Sequence, residues 1–195
     1  MDEGITILKL LKTRRSIRQF KQTPLPRIEI QECVDSARLA PSARNMQPLE
    51  YLYIDEHEKV GKIFPLLKWA GYITPNGDPE EGRRPVSYLI ALVNKEISDK
   101  TFEYDVGASL ENFIIAAWSF GIGSCWLLSV NREKLRELLN ISEKYIIDSV
   151  IALGYADEEP LLENFQGDIK YWKDGSGTLH VPKRNLDDIF KINII

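Results

Sequence analysis

Cysteine and histidine are nearly missing from this chain. Of 195 residues, only Cys33 and Cys125 are cysteine, and only His57 and His180 are histidine. Both cysteines sit in apolar stretches and read as buried free thiols, so a disulfide framework is not expected. No two of the four residues stand at a metal-ligand spacing, so no metal site is expected. With histidine this scarce there is no credible Ser-His-Asp or Cys-His arrangement, and no side-chain nucleophile is expected. No G-x-G-x-x-G follows a predicted strand, so a Rossmann-bound dinucleotide is not expected either. Positive charge is also short. The formal net charge is −4, which argues against general nucleic-acid binding, since that needs a broad basic face. The longest apolar stretch, around residues 113–126, is interrupted by Ser119, Gly121, Gly123 and Ser124. It is too short and broken to span a bilayer. Residues 1–12 begin with two acids and lack the apolar run of a signal peptide. A cytoplasmic protein with no membrane partner is the expectation. Hydrophobic residues at 44% and charged residues at 28% are an ordinary globular mix, and the length suits a single domain over residues 1–195.

Against that background one stretch stands out: Thr13-Arg14-Arg15-Ser16-Ile17-Arg18-Gln19-Phe20. Arginine presents a fork of donors that matches phosphate oxygens in pairs, and it stays charged at any working pH. Two arginines and a hydroxyl converging on one point would grip a phosphate. A short basic run is equally compatible with a solvated turn or a nucleic-acid arm. The acidic balance of the whole chain favours a small anion held at one point.

The surrounding elements can be read from periodicity. Apolar residues in 5–12 predict a short helix leading into the arginine cluster. A second helix is expected from Arg27 to near Ala40, with Ile30, Val34 and Ala37 on one face. The loop Pro41-Ser42-Ala43-Arg44-Asn45-Met46-Gln47-Pro48 brackets amide and hydroxyl groups between prolines, offering the mixed donors and acceptors that a heterocycle with imide edges needs. Residues 49–54 read as a strand and 56–67 as a helix that Pro65 ends or kinks. Residues 71–87 are dominated by turn chemistry and read as a flap over a pocket. Arg83 and Arg84 within it are candidates to attract phosphates of a nucleotide donor, with solvated surface charge as the alternative. Residues 86–93 read as an inner strand. Residues 105–120 read as a helix apolar nearly all round, which therefore packs in the core or against a second subunit. Residues 123–129 read as extended, Asn131 as the cap of a helix ending near Leu139, and 149–155 as a buried strand. Residues 164–195 carry no core-sized apolar pattern and read as an extended C-terminal tail that wraps a partner.

Taken in order, Arg14-Arg15-Ser16-Ile17-Arg18-Gln19-Phe20, Ala40-Pro41-Ser42-Ala43-Arg44-Asn45-Met46-Gln47-Pro48, Asp105-Val106-Gly107-Ala108, Gly121-Ile122-Gly123-Ser124-Cys125-Trp126 and Ala152-Leu153-Gly154-Tyr155-Ala156 closely resemble the successive blocks of the FMN-dependent nitroreductase family. The resemblance implies an α+β fold, a mixed β-sheet flanked by helices, in a homodimer with two FMN sites at the interface. It implies that Arg14, Ser16 and Arg184 bind the FMN phosphate, with Arg15 beside them and Lys183 part of the same second basic point. Arg18 would sit near the N1–C2=O end of the flavin ring. Pro41, Ser42, Ala43, Asn45 and Gln47 would meet the ring from the partner subunit. Leu127, Leu128 and Ser129 would run past flavin N5. Many members carry Glu-Gly where this chain has Leu128-Ser129, so backbone contacts are expected there.

By the same resemblance the reaction would be ping-pong transfer of reducing equivalents from NAD(P)H to nitro compounds, quinones or similar acceptors. The chemistry would lie on the flavin, with the nicotinamide a visiting substrate. The alternatives are other flavin chemistry on the same fold, such as dehalogenation or heterocycle oxidation, or a flavin-binding protein without turnover.

Overall fold

The computed structural model describes residues 7–75 and 77–193. Four strands make the main sheet: β1 (Leu49–Ile54), β2 (Ser87–Asn94), β3 (Ile122–Leu127) and β4 (Tyr145–Tyr155). Their order is β1-β2-β4-β3, and every pair is antiparallel. The sheet becomes mixed only through a parallel bridge between Ser16 and Ser124, where the arginine segment lies along β3.

All eight residues of β2 are buried, and their alternation sorts them between two apolar layers. Leu89, Ala91 and Val93 pack with Cys33, Ala37, Leu110 and Phe113. These come from α2 (Arg27–Arg38) and α4 (Phe102–Ser119). Tyr88, Ile90 and Leu92 pack with Ile17, Phe20, Ile63 and Leu135 on the other face. That face is covered by α3 (His57–Ile63), α5 (Arg132–Leu139) and the arginine segment itself. Strands covered on both faces read as near-continuous apolar runs, which is how β2 appears in the sequence. Pro65 ends α3, and a 3-10 turn follows over Phe64–Leu66. The Asn131 side chain caps α5 by accepting from the Lys134 amide at 3.2 Å.

The first helix, α1 (Ile7–Thr13), buries only Leu10. Ile7, Leu8 and Leu11 are exposed. Ile5 and Thr6, expected to begin this helix, lie outside the described residues.

The tail differs from the expectation of a wholly extended segment. A second, three-stranded sheet forms from β5 (Leu161–Asn164), β6 (Trp172–Lys173) and β7 (Leu179–Lys183), followed by a short α6 (Leu186–Ile189). Strand β5 runs parallel to β7, and β6 runs antiparallel to it. What closes this sheet is polar. One Asp174 carboxylate oxygen accepts from the Ser176 and Thr178 amides, both at 2.9 Å. His180 stacks on Trp172, with ring centroids 4.1 Å apart. Strands this short and held by a turn leave no apolar alternation to read. Leu186, Ile189, Phe190 and Ile192 beyond β7 are all at least 60% exposed.

Candidate active site

The arginine segment is seated by its apolar residues. Ile17 and Phe20 are fully buried, each contributing about 1.5–3 kcal/mol. They fit because the strands beneath carry glycine. A Cβ on Gly123 would come within 2.8 Å of the Ile17 side chain, and one on Gly154 within 2.9 Å of Phe20. The Ile17 amide donates to the Ser124 carbonyl and the Lys21 amide to that of Tyr155, both at 2.9 Å. Glu158 anchors the turn between these points, accepting from the backbone amides of Arg18 and of Gln19, the latter at 3.2 Å. With the apolar residues facing in, the arginines are left at the rim.

Those arginines are poorly satisfied. The Nε atoms of Arg14, Arg15 and Arg18 are all buried and have no hydrogen-bond partner. Arg14 has one distant carboxylate, Glu111, at 3.8 Å. Arg15 donates to the Arg14 carbonyl, and its pKa is lowered by burial and then by the adjacent Arg14 charge. Arg18 lies over the Tyr171 ring, 5.2 Å from its centroid. Tyr171 in turn meets Tyr72 of the 71–87 loop at 5.0 Å. Arg14 and Arg15 are adjacent cations, and with the open Nε donor of Arg18 they form a segment short of negative charge. A phosphate supplies acceptor oxygens and relieves the repulsion between the cations.

The loop at residues 41–48 is built to hold a fixed shape. Arg44, Asn45 and Gln47 all have φ between 51° and 57°, backbone that needs external support. The Ser42 hydroxyl provides it by accepting from the Gln47 amide at 3.0 Å, and the buried Asp105 carboxylate accepts from the Ala43 amide at 2.9 Å. Pro41, Ala43, Asn45 and Gln47 are exposed. A cleft of about 140 Å³ opens beside them, with Pro41, Ser42, Gln47 and Asp105 in its wall.

Within one chain these groups stand apart. Loop 41–48 packs at the N-terminal end of α4 through Asp105. The arginine segment packs further along the same helix, where Arg14 faces Glu111 and Trp118 Nε1 donates to Thr13 Oγ1 at 3.0 Å. The helical rise from residue 105 is about 9 Å to 111 and about 20 Å to 118. Leu127 is buried at the end of β3, Leu128 is exposed, and the Ser129 carbonyl accepts from the Lys68 amide at 3.0 Å. Lys183 and Arg184 are exposed at the end of β7. Arg184 donates only to the Asp188 carbonyl, at 3.1 Å, among the described residues. Arg83 is not a free cation for a donor phosphate. It is committed to Asp157 at 2.6 Å and to Glu80 at 3.5 Å.

Glu158, Asp105 and Tyr171 were not foreseen as parts of this site. Glu158 stands in the run Asp157-Glu158-Glu159, which looks like a solvated face. Asp105 does carry a signal, an acid at the head of an otherwise apolar helix. Tyr171 has none, because it reaches Arg18 only through the fold of the tail. No group of three or more metal-ligating side chains that could hold an ion occurs among the described residues. No helix among them is long and apolar enough to cross a membrane.

Comparison with known proteins adds three similarities and a family match. The family model described as the nitroreductase family matches residues 11–155. A protein of Archaeoglobus fulgidus, provisionally named an NADH dehydrogenase/NAD(P)H nitroreductase, is 32% identical over 159 residues, covering 78% of this chain and 86% of its own. An FMN-dependent nitroreductase of Clostridium difficile has a similar structure, with a TM-score of 0.71 at 21% identity, covering 96% of this chain and 99% of its own. Iodotyrosine deiodinase bound to FMN and 3-iodo-L-tyrosine gives a TM-score of 0.70 at 18% identity, covering 84% of this chain and 97% of its own.

Proposed function

The chain belongs to the nitroreductase family, and on that footing we propose that it is an FMN-dependent oxidoreductase that carries reducing equivalents from NAD(P)H to nitro compounds, quinones or similar acceptors. The observation that carries the reading is the set of three buried, unpartnered guanidinium nitrogens on Arg14, Arg15 and Arg18. A cofactor with a phosphate at one end and an electron-rich ring edge near the other fits that donor set. FMN supplies the hydride and electron chemistry; the protein binds, orients and tunes it.

The division of labour among this chain's residues follows. Arg14, Arg15 and the Ser16 hydroxyl hold the phosphate. Arg18 places a fixed cation where negative charge collects on the ring, and Tyr171 limits the directions its guanidinium can take. Leu128, exposed beside Ser129 at the end of β3, offers backbone rather than a charged side chain. Loop 41–48, with Pro41 and its amide side chains exposed, packs on α4 apart from the arginine segment of its own chain, so it serves a second copy. Lys183 and Arg184 at the end of β7 supply the remaining phosphate contacts. The exposed apolar residues of α1 and of 186–192 are the surface such a homodimer would cover.

Steady-state kinetics test the reading. With NADH or NADPH as donor and a nitroaromatic acceptor, double-reciprocal plots at several acceptor concentrations should be parallel, as one open face used in turn requires. A protein that holds FMN but is not reduced by either donor would be a binding protein without turnover, and the proposal would fail. Turnover of halogenated aromatics with none of nitro compounds or quinones would move it to dehalogenation.

A further inference from the structure

A cavity of about 730 Å³ opens at the β1-β2 edge of the sheet. It lies against β1 and β2, whereas the arginine segment sits on β3. Phe20, at the end of that segment, comes close to it: its amide donates to the Arg83 carbonyl at 2.9 Å and its carbonyl accepts from the Gln22 side chain at 3.1 Å. The size is that of a small-molecule pocket.

Its lining combines apolar walls and open donors with two carboxylates, Glu81 and Asp55, the latter paired with Arg27 at 2.7 Å. The Tyr88 side chain is fully buried, lines the cavity, and its hydroxyl has no partner. Burial raises the Tyr88 pKa, so this hydroxyl stays a donor. The Tyr53 hydroxyl is also buried and unpartnered, but its side chain belongs to the opposite layer of the sheet, with Leu89. Ser87 is close enough to hold the Tyr53 pKa down somewhat against burial, but outside hydrogen-bond geometry. Arg84 stacks on Phe64, 4.2 Å from its ring centroid, and makes no ion pair among the described residues. Its backbone is fixed by Gln22, whose amide donates to the Arg84 carbonyl at 2.9 Å. Leu25 adds apolar surface from the start of α2. Gly61 of α3 faces open space, since a Cβ there would meet nothing within 4 Å.

A buried hydroxyl with no partner is costly unless something else accepts from it. We propose that this cavity is a second binding site, for a small planar aromatic carboxylate. The ring lies among Val60, Gly61 and Phe64, the carboxylate pairs with Arg84, and the Tyr88 hydroxyl donates to one of its oxygens. The proposal goes beyond the flavin reading: none of the lining residues belongs to the arginine segment or to loop 41–48, and Gln22 joins the cavity to Phe20 only through a backbone carbonyl.

The experiment is isothermal titration of 4-hydroxybenzoate, which cannot act as a nitro or quinone acceptor, into the protein as purified. Millimolar probe should bind the unmodified protein. Tyr88→Phe keeps the ring and removes the donor, and should weaken binding about tenfold. Gly61→Leu should abolish binding by filling the cavity while favouring the helix. Arg14→Ala should leave the affinity unchanged. No heat from the unmodified protein overturns the proposal. So does equal affinity in Tyr88→Phe and Gly61→Leu, and so does loss of binding in Arg14→Ala alone, which would put the probe at the arginine segment.

Discussion

Replacing Arg14 with alanine should separate ligand binding from folding. In the folded protein its Nε is buried without a partner, and its single acidic neighbour, Glu111, stands at 3.8 Å. The two side chains of that pair are 27% and 45% exposed, and a pair so exposed contributes less than about 1 kcal/mol. Its removal also relieves Arg15, whose pKa the Arg14 charge helps to lower. The two effects oppose each other, so the apoprotein should change in stability by less than about 1 kcal/mol. The loss from the FMN complex is larger. A charge-assisted hydrogen bond contributes about 1.5–3 kcal/mol, which weakens binding roughly 10- to 150-fold. Arg14→Lys keeps the charge and loses the fork, so it should fall between. Titrating apoprotein into FMN and following quenching of flavin fluorescence gives Kd, and urea unfolding of the apoprotein gives stability. An unchanged Kd would remove Arg14 from the phosphate site. Destabilisation of the apoprotein as large as the loss of affinity would make its role structural.

Arg184→Ala should weaken FMN binding to a similar extent with no effect on apoprotein stability, because its one internal bond goes to an exposed carbonyl; retention of full affinity would exclude it. Gly123→Ala forces a Cβ within 2.8 Å of Ile17 and should cost about 1–3 kcal/mol in urea unfolding by overpacking, unseating the arginines as it does so. An unchanged midpoint would contradict that seating. Asp105→Ala removes the acceptor of the Ala43 amide and should cost about 1.5–3 kcal/mol, with increased proteolysis at loop 41–48; equal protease resistance would argue that the loop holds itself. His180 has a pKa raised above its ordinary 6.5 by Glu163 first and then Asp174. Its contribution to the small sheet is therefore fully present below 6.5 and is lost as pH rises through the raised value. An NMR titration should show Glu163→Gln lowering that pKa, and a His180 titration unmoved by the substitution would contradict the assignment.

Periodicity was enough to place the core. Strand β2 is legible because burial on both faces leaves an unbroken apolar run, and helix α4 because its buried residues, Val106, Leu110, Phe113, Ile114 and Ala117, recur at helical spacing on one face. The turn loop at 41–48 is legible from its prolines, although its three left-handed residues are not. The first half of β4 was missed. Residues 145–148 begin beside Lys144 and end on Asp148, and their pairing passes an irregularity at Ala91/Leu92, so the alternation that marks a strand breaks there. The tail sheet was missed because a turn, a histidine and two carboxylates hold it rather than an apolar face. The arginine segment shows both outcomes. Its charges announce an anion site, but the partnering of Ile17 and Phe20 with Gly123 and Gly154 emerges only in three dimensions. Long-range contacts such as Glu158 with the Arg18 amide leave no local trace.

The central claim is that Arg14, Arg15 and Arg18, whose Nε donors are open, exist to hold FMN in a working oxidoreductase. The most direct test is the visible absorption spectrum of the purified protein, followed by anaerobic addition of NADH or NADPH. The expected result is a flavin spectrum that bleaches with one of the two donors. A colourless protein that also fails to take up added FMN would contradict the claim, and the arginine cluster would then serve a different anion.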